Sequence, residues 1–297
     1  MDAIRIPRAE WRGREAAHAA RADRLTAAHL ARHGAKHPVE DFLFRYYNFP
    51  PGKLRRWHPG PGVILDDAGG MPRAAWSGYL TLADGGVLLD HAALAAKRAT
   101  TIAFVRSLLA ATLSRPAFTG CFGLHEWAMV FRLPAGEVRH EDYPLRLSPT
   151  ETDRVVESHP LRCSHFDAFR FFTPDAVPRN ATQPTREGQV MQEQPGCLHA
   201  GMDVYKWAHK LTPLVPGDVL LDAFELARDI RVLDMQASPY DLVDLGYAPI
   251  KIETPEGKSE YAAAQRAFSV RSNDLRRRLL AVLDAVTDEV TDAVTGE

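Results

Sequence analysis

The chain has 297 residues, 45% hydrophobic and 25% charged, with a formal net charge of −2. That length allows a large core in one domain, and no apolar run approaches the ~18 residues that read as a membrane span. A protein whose main task is coating nucleic acid is usually basic overall, which this chain is not.

The charge is uneven. Residues 1–60 carry 12 Lys/Arg against 6 Asp/Glu, a balance that permits a polyanionic partner. The start MDAIRIPRAEWRGRE has no apolar signal core, and three cysteines, an odd number, suit reduced thiols. Both point to a cytoplasmic protein.

Residues 1–36 read as a basic N-terminal helical arm, with Trp11, Leu25 and Leu30 on its inner face and Gly34 as its cap. EDFLFRYYNF then holds five aromatics in ten residues, the composition of a core helix. In KLRRWHPGPG, cations flank an aromatic. Arg55, Arg56 and Trp57 there suit a phosphate or nucleobase contact, or a basic loop with one anchoring Trp. WSGYLTLADGGVLLD predicts a hairpin turning at Asp84-Gly85-Gly86, and His91–Leu113 predicts one amphipathic helix.

Cys121–Arg132, CFGLHEWAMVFR, is almost wholly apolar and predicts a buried helix. Glu126 within it needs a cation or a pocket, because an unpartnered buried carboxylate costs several kcal/mol. YPLRLS and RCSHFDAFRFFT alternate like strands, and Ser148-Pro149-Thr150-Glu151 is a helix start. The segment 174–196 reads as a lid or binding loop.

In Leu198–Leu211, His199, Asp203, Lys206 and Lys210 fall on one helix face. In Asp218–Met235 the corresponding stripe is Asp222, Glu225 and Asp229. These two stripes could face each other across a cleft. Thr254-Pro255-Glu256 starts a last long helix that frays from 288 to 297. Residues 37–287 therefore form a single helical catalytic domain with small β elements. The fold class is mostly α (α+β), a multi-helix globular domain with a minor antiparallel β component.

No Walker A, GxGxxG or GxSxG motif is present. Each cysteine is followed closely by a histidine, which would suit zinc. His165-x-Asp167 with His199 or His209 would make a two-histidine, one-carboxylate iron site. A carboxylate-bridged di-iron bundle using Glu126, His199, Asp203, Glu225 and Asp229 is a third arrangement, although the usual ExxH pair is missing.

The inventory also suits hydrolysis of a sugar–base bond. Glu126, Glu225, Asp229 or His125 would supply the carboxylate or proton chemistry. Trp127, Phe169 and Trp207 would hold the base, with His199 and Asp203 beside it, while Lys206, Lys210, Arg55 and Arg56 would hold phosphate.

Taken together, HPVEDFLFRYY, LRRWHPG, CFGLHEWAMVFR, RCSHFDAFRFFTP, QPGCLHAGMDVYKWAHKL, FELARDIRVLDMQASPYDL and IETPEGKSEY resemble an actinobacterial family labelled 3-methyladenine DNA glycosylase, from about His37 to Tyr261. The resemblance implies a base-excision role and brings no assigned catalytic residues. The leading expectation is a metal-free N-glycosylase, a hydrolase acting on a damaged or modified purine in DNA, with a nucleic acid or nucleotide substrate. One alternative is a non-haem metal oxidase or other metalloenzyme holding iron or zinc through His165, Asp167 and His199. The other is a non-catalytic nucleic-acid-binding protein.

Overall fold

The computed structural model describes residues 3–34, 36–134, 137–138 and 142–295, with side chains described through Thr287. The chain opens with β1 (Ile4–Ile6) and α1 (Arg8–Ala31), then short helices α2 (Phe42–Tyr46) and α3 (Pro51–Leu54). Strands β2 (Val63–Leu65), β3 (Tyr79–Thr81) and β4 (Val87–Leu89) follow. Helices α4 (His91–Lys97), α5 (Ala99–Leu113), α6 (Leu124–Ala128), α7 (Pro149–Glu157), α8 (Phe166–Phe169) and α9 (Gln189–Gln192) lead to the long elements α10 (Leu198–Lys210), α11 (Gly217–Gln236) and α12 (Pro255–Thr295). The protein is mostly α with a small four-stranded sheet.

That sheet has the order β1-β2-β4-β3. The hairpin β3–β4 is antiparallel with Leu80 opposite Leu88, and Gly85 at φ 83° makes its turn. β1 pairs with β2 in parallel, so the sheet is mixed rather than purely antiparallel. Helix α1 packs on α11 and α3, and its fully buried Trp11 donates its indole N–H to the Asp66 carbonyl. Two arginines of α1 are spent within the helix, Arg14 on Glu10 and Arg12 on Glu15, while Arg21 crosses to Asp222 and Glu225 of α11.

Helix α10 lies against both α11 and α12, and α12 also packs on α5 and α4. Gly201 permits this approach: a Cβ there would sit 2.9 Å from Ile230 Cδ1 and 2.9 Å from Ser272 Oγ. The predicted helix 91–113 is divided at Arg98, which leaves helical geometry and bonds the carbonyls of Lys210, the last residue of α10, and Thr212 just after it.

Three local expectations are corrected. The buried helix predicted over 121–132 is only α6, because Phe122 (φ 47°), Gly123 (φ 69°) and Arg132 (φ 54°) adopt left-handed geometry at its flanks. The alternating run 162–173 is not a strand. The amides of Ala168 and Phe169 return to the His165 carbonyl, making the single turn α8, and the run's neighbourhood contributes only the bridge Leu161–Asn180. YPLRLS likewise gives one bridge, Leu145–Tyr240.

By contrast, Ser148 and Glu151 close a reciprocal capping box at α7. The tail expected to fray from 288 is helical in backbone to Thr295, and its side chains lie outside the described residues.

Candidate metal centre

The buried ionisable residues converge at one place, where α6, the turn before α8, the end of α9, α10 and α11 meet. His125 and Glu126 come from α6, His165 caps α8, and Glu193 caps α9. His199, Asp203 and Lys206 share a face of α10 at spacings of four and three. Arg231 and Asp234 are one turn apart on α11.

Two triads result. In the first, donor atoms of His125, His199 and Asp234 all lie within 4.8 Å of one another. His125 Nε2 is 2.9 Å from Asp234 Oδ1, yet neither atom makes a hydrogen bond among the described residues, because the approach lacks the alignment of an N–H donor. In the second triad, His165 Nε2 stands 3.3 Å from Glu193 Oε1 and 3.3 Å from Asp203 Oδ2, again without a hydrogen bond. The ring centroids of His199 and His165 are 5.4 Å apart, and those of His199 and His125 4.4 Å, so the triads adjoin at His199.

These separations suit an ion. Ligands about 2.1 Å from a first-row metal lie about 3.0 Å apart at right angles and about 3.4 Å apart at tetrahedral angles. Atoms that close, buried and unbonded to each other are placed as the corners of a coordination polyhedron would be.

Surrounding groups fix the carboxylates. Arg231 NH1 reaches Asp234 Oδ2 at 2.8 Å and Glu126 Oε1 at 3.0 Å, while its Nε donates to the Pro38 carbonyl. Tyr47 donates to Asp203 Oδ1 at 3.0 Å, Lys206 holds Asp203 Oδ2 at 2.7 Å, and Gln189 donates to Glu193. Such outer contacts orient ligands in metal sites.

Of the four buried carboxylates here, Glu126 and Asp234 meet Arg231 and Asp203 meets Lys206, while Glu193 meets His165 and Gln189. Arg276, a third buried cation, bonds the Ala200 carbonyl and reaches the cluster only through its field.

The field is strongly negative. Burial works against a proton on His165, but its contacts with Asp203 and Glu193 push its pKa up to about 10. Burial opposes charge on His125 too, and the nearby Asp234 carboxylate outweighs it, raising the pKa. His199 goes the other way, held neutral by burial and by the neighbouring His125. Burial favours the protonated form of Asp203 and Asp234, yet Lys206 beside the first and His125 beside the second keep both below the usual carboxylate range.

Two cavities reach His199. One is lined by Cys121, His125, Cys163, Phe172, Cys197 and Tyr261 among others. The other is lined by Phe42, Tyr46, Glu126, Met129, Asp167, Phe171 and Arg231. The Cys/His zinc option finds no support, since no sulfur belongs to either ligand cluster among the described residues. Burial raises the pKa of all three thiols, that of Cys163 to about 12.

The sequence-predicted residues divide sharply. His125, Glu126, His199, Asp203, Lys206 and His165 meet at the cluster. Asp167 borders it but turns to Lys206 at 3.1 Å and to Arg170 and Arg186, leaving Glu193 and Asp203 opposite His165. Glu225 pairs with Arg21, and Asp229 with Arg271, both on the half-exposed outer side of α11. The acidic stripe therefore meets α1 and α12 rather than α10.

Trp127 is fully buried and donates to the Ala237 carbonyl, and Phe169 packs on Phe172. Trp207 is buried beside Phe104, with the ammonium groups of Lys206 and Lys210 over its ring. At the basic patch, Trp57 is an anchor under the Arg73 guanidinium, Arg55 pairs with Asp23, and Arg56 lies over Trp76.

Sequence reasoning missed Asp234, Glu193 and Arg231. A signal existed for Asp234: at about 100° per residue it lies about 140° from Asp229, in line with Ala223, Ala227 and Ile230 on the apolar side of α11. Glu193 sits in the Gln-rich segment after 174, where no periodicity marks it. No family model, no curated protein and no solved structure matches this chain.

Proposed function

We propose that this protein is a metal-dependent enzyme of the non-haem oxidase or oxygenase class, built on His125, His199 and Asp234. The observation that carries the reading is the pair His125 Nε2 and Asp234 Oδ1, buried and 2.9 Å apart without a hydrogen bond. Two imidazoles and one carboxylate are the donor set of non-haem iron sites that keep open positions. A redox-active ion held there would supply the electron-transfer or oxygen-activating chemistry that protein side chains lack.

The chain's own residues supply the rest. Arg231 fixes the Asp234 carboxylate and offsets part of its charge. Burial and the nearby His125 keep His199 neutral, the form in which a ring nitrogen binds metal. Two pockets border His199, and the rings of Phe42 and Phe171 wall one of them.

Elemental analysis of the freshly purified protein tests this reading. About one equivalent or more of iron or manganese per chain is expected, falling in His125→Ala and Asp234→Asn. No metal, even after anaerobic reloading, would refute it.

A second reading is the N-glycosylase implied by the family resemblance. It is favoured by one observation, Glu126 in the wall of a cavity lined by Phe42 and Phe171. It predicts base release from alkylated DNA that survives EDTA and is lost in Glu126→Gln.

A further inference from the structure

The second triad is a separate set of ligands, and it is unlike the first. It offers one imidazole and two carboxylates, from three segments: His165 before α8, Glu193 after α9 and Asp203 on α10. All three are at most 3% exposed. Both ring nitrogens of His165 lack a hydrogen-bond partner among the described residues. An imidazole that only served to neutralise Glu193 or Asp203 would aim its N–H at one oxygen. Instead Nε2 stands at 3.3 Å from both.

Each inward-facing carboxylate oxygen carries one outer hydrogen bond and keeps a second lone pair. Lys206 donates to Asp203 Oδ2 and Gln189 to Glu193 Oε1, the two oxygens nearest His165 Nε2. Tyr47 donates to the other oxygen of Asp203, Oδ1.

We infer that His165, Glu193 and Asp203 form a second divalent-cation site beside the first, making the centre dinuclear. The inference rests on the reading of the first triad as a metal site. The donor set, oxygen-rich with a single nitrogen, favours manganese or iron over a thiolate-seeking ion.

The test is Mn²⁺ loading of the whole chain after chelator treatment and gel filtration, with elemental analysis and electron paramagnetic resonance. The wild type should hold two Mn²⁺ per chain, with a spectrum broadened by coupling between them. His165→Ala and Glu193→Gln should each hold one and show an uncoupled signal. Tyr47→Phe should weaken the second ion by about 10- to 100-fold and leave the first unchanged. Circular dichroism reports whether each variant folds, and Glu193→Gln and Tyr47→Phe carry the test if His165→Ala does not.

One Mn²⁺ per chain, lost in His125→Ala and kept in His165→Ala and Glu193→Gln, would overturn this inference while sparing the first site. No Mn²⁺ in the wild type would overturn both.

Discussion

Replacing Arg231 with Met isolates the electrostatic debt of the site. Met keeps much of the aliphatic stem, so the change removes charge and hydrogen bonds more than volume. Arg231 is 1% exposed, and its NH1 is shared by Glu126 at 3.0 Å and Asp234 at 2.8 Å, which are 5% and 0% exposed. Its guanidinium also lies 4.0 Å from the centre of the Phe42 ring. Removing one partner of a buried pair typically costs about 3–5 kcal/mol, because the partner is left charged and dry.

R231M should therefore lose about 3–5 kcal/mol in urea unfolding followed by circular dichroism in EDTA. With Mn²⁺ present the loss should shrink, since an ion beside Asp234 supplies the missing positive charge and binds the variant more tightly. Glu126→Gln in the same background should recover part of the loss in a double-mutant cycle. A loss below about 1 kcal/mol in EDTA would refute the claim that Arg231 neutralises buried charge. A loss that Mn²⁺ leaves unchanged would refute the link between that charge and an ion.

Chelation should itself destabilise the wild type, by about 2.7 kcal/mol for each ion lost, relative to free ion at a hundred times its Kd. His125→Ala/His165→Ala should lose this dependence, and thermal melts with and without EDTA check it. A separate acid sensitivity should come from His58, whose Nδ1 is 2.8 Å from the Tyr79 hydroxyl. Burial, helped by the Arg73 charge, lowers its pKa to about 3. The unfolded chain takes up this proton near pH ~6.5 and the folded chain does not, so stability should fall with pH from ~6.5 to 3 by at most about 1.4 kcal/mol per unit. His58→Gln should flatten the difference between pH 6 and pH 4, and an unchanged slope would count against it. Gly201→Ala should destabilise: a methyl 2.9 Å from Ile230 Cδ1 costs about 1–3 kcal/mol in overpacking, more than the gain of about 1 kcal/mol in helix propensity. A higher urea midpoint would show that α10 and α11 can part there.

The fold was legible where local chemistry decides it. Ser148 with Glu151, Pro255 and the Asp84-Gly85-Gly86 turn mark their elements correctly, because caps and turns are written in neighbouring residues. The run 162–173 misled because its alternation was that of residues packed around one tight turn. Phe122 escaped because a left-handed bulky residue has no sequence signal and is held there by its surroundings.

The centre was half legible for a related reason. His199, Asp203 and Lys206 share a face of one helix, so spacing alone groups them. His125, His165 and Asp234 reach them through packing, across 74, 34 and 35 residues of chain to His199, and Glu193, 6 residues before His199, through the turn that leads into α10. What separates Asp234 from Asp229 is the side of α11 it occupies: one lies in line with Ala227 and Ile230, the other meets Arg271 at the surface. An acidic residue aligned with the apolar face of a helix must find a cation, because the core offers it no water. At Asp234 one oxygen finds Arg231, and the other stands 2.9 Å from His125 Nε2 with no hydrogen bond between them. That missing hydrogen bond is the strongest physical reason to look for an ion here.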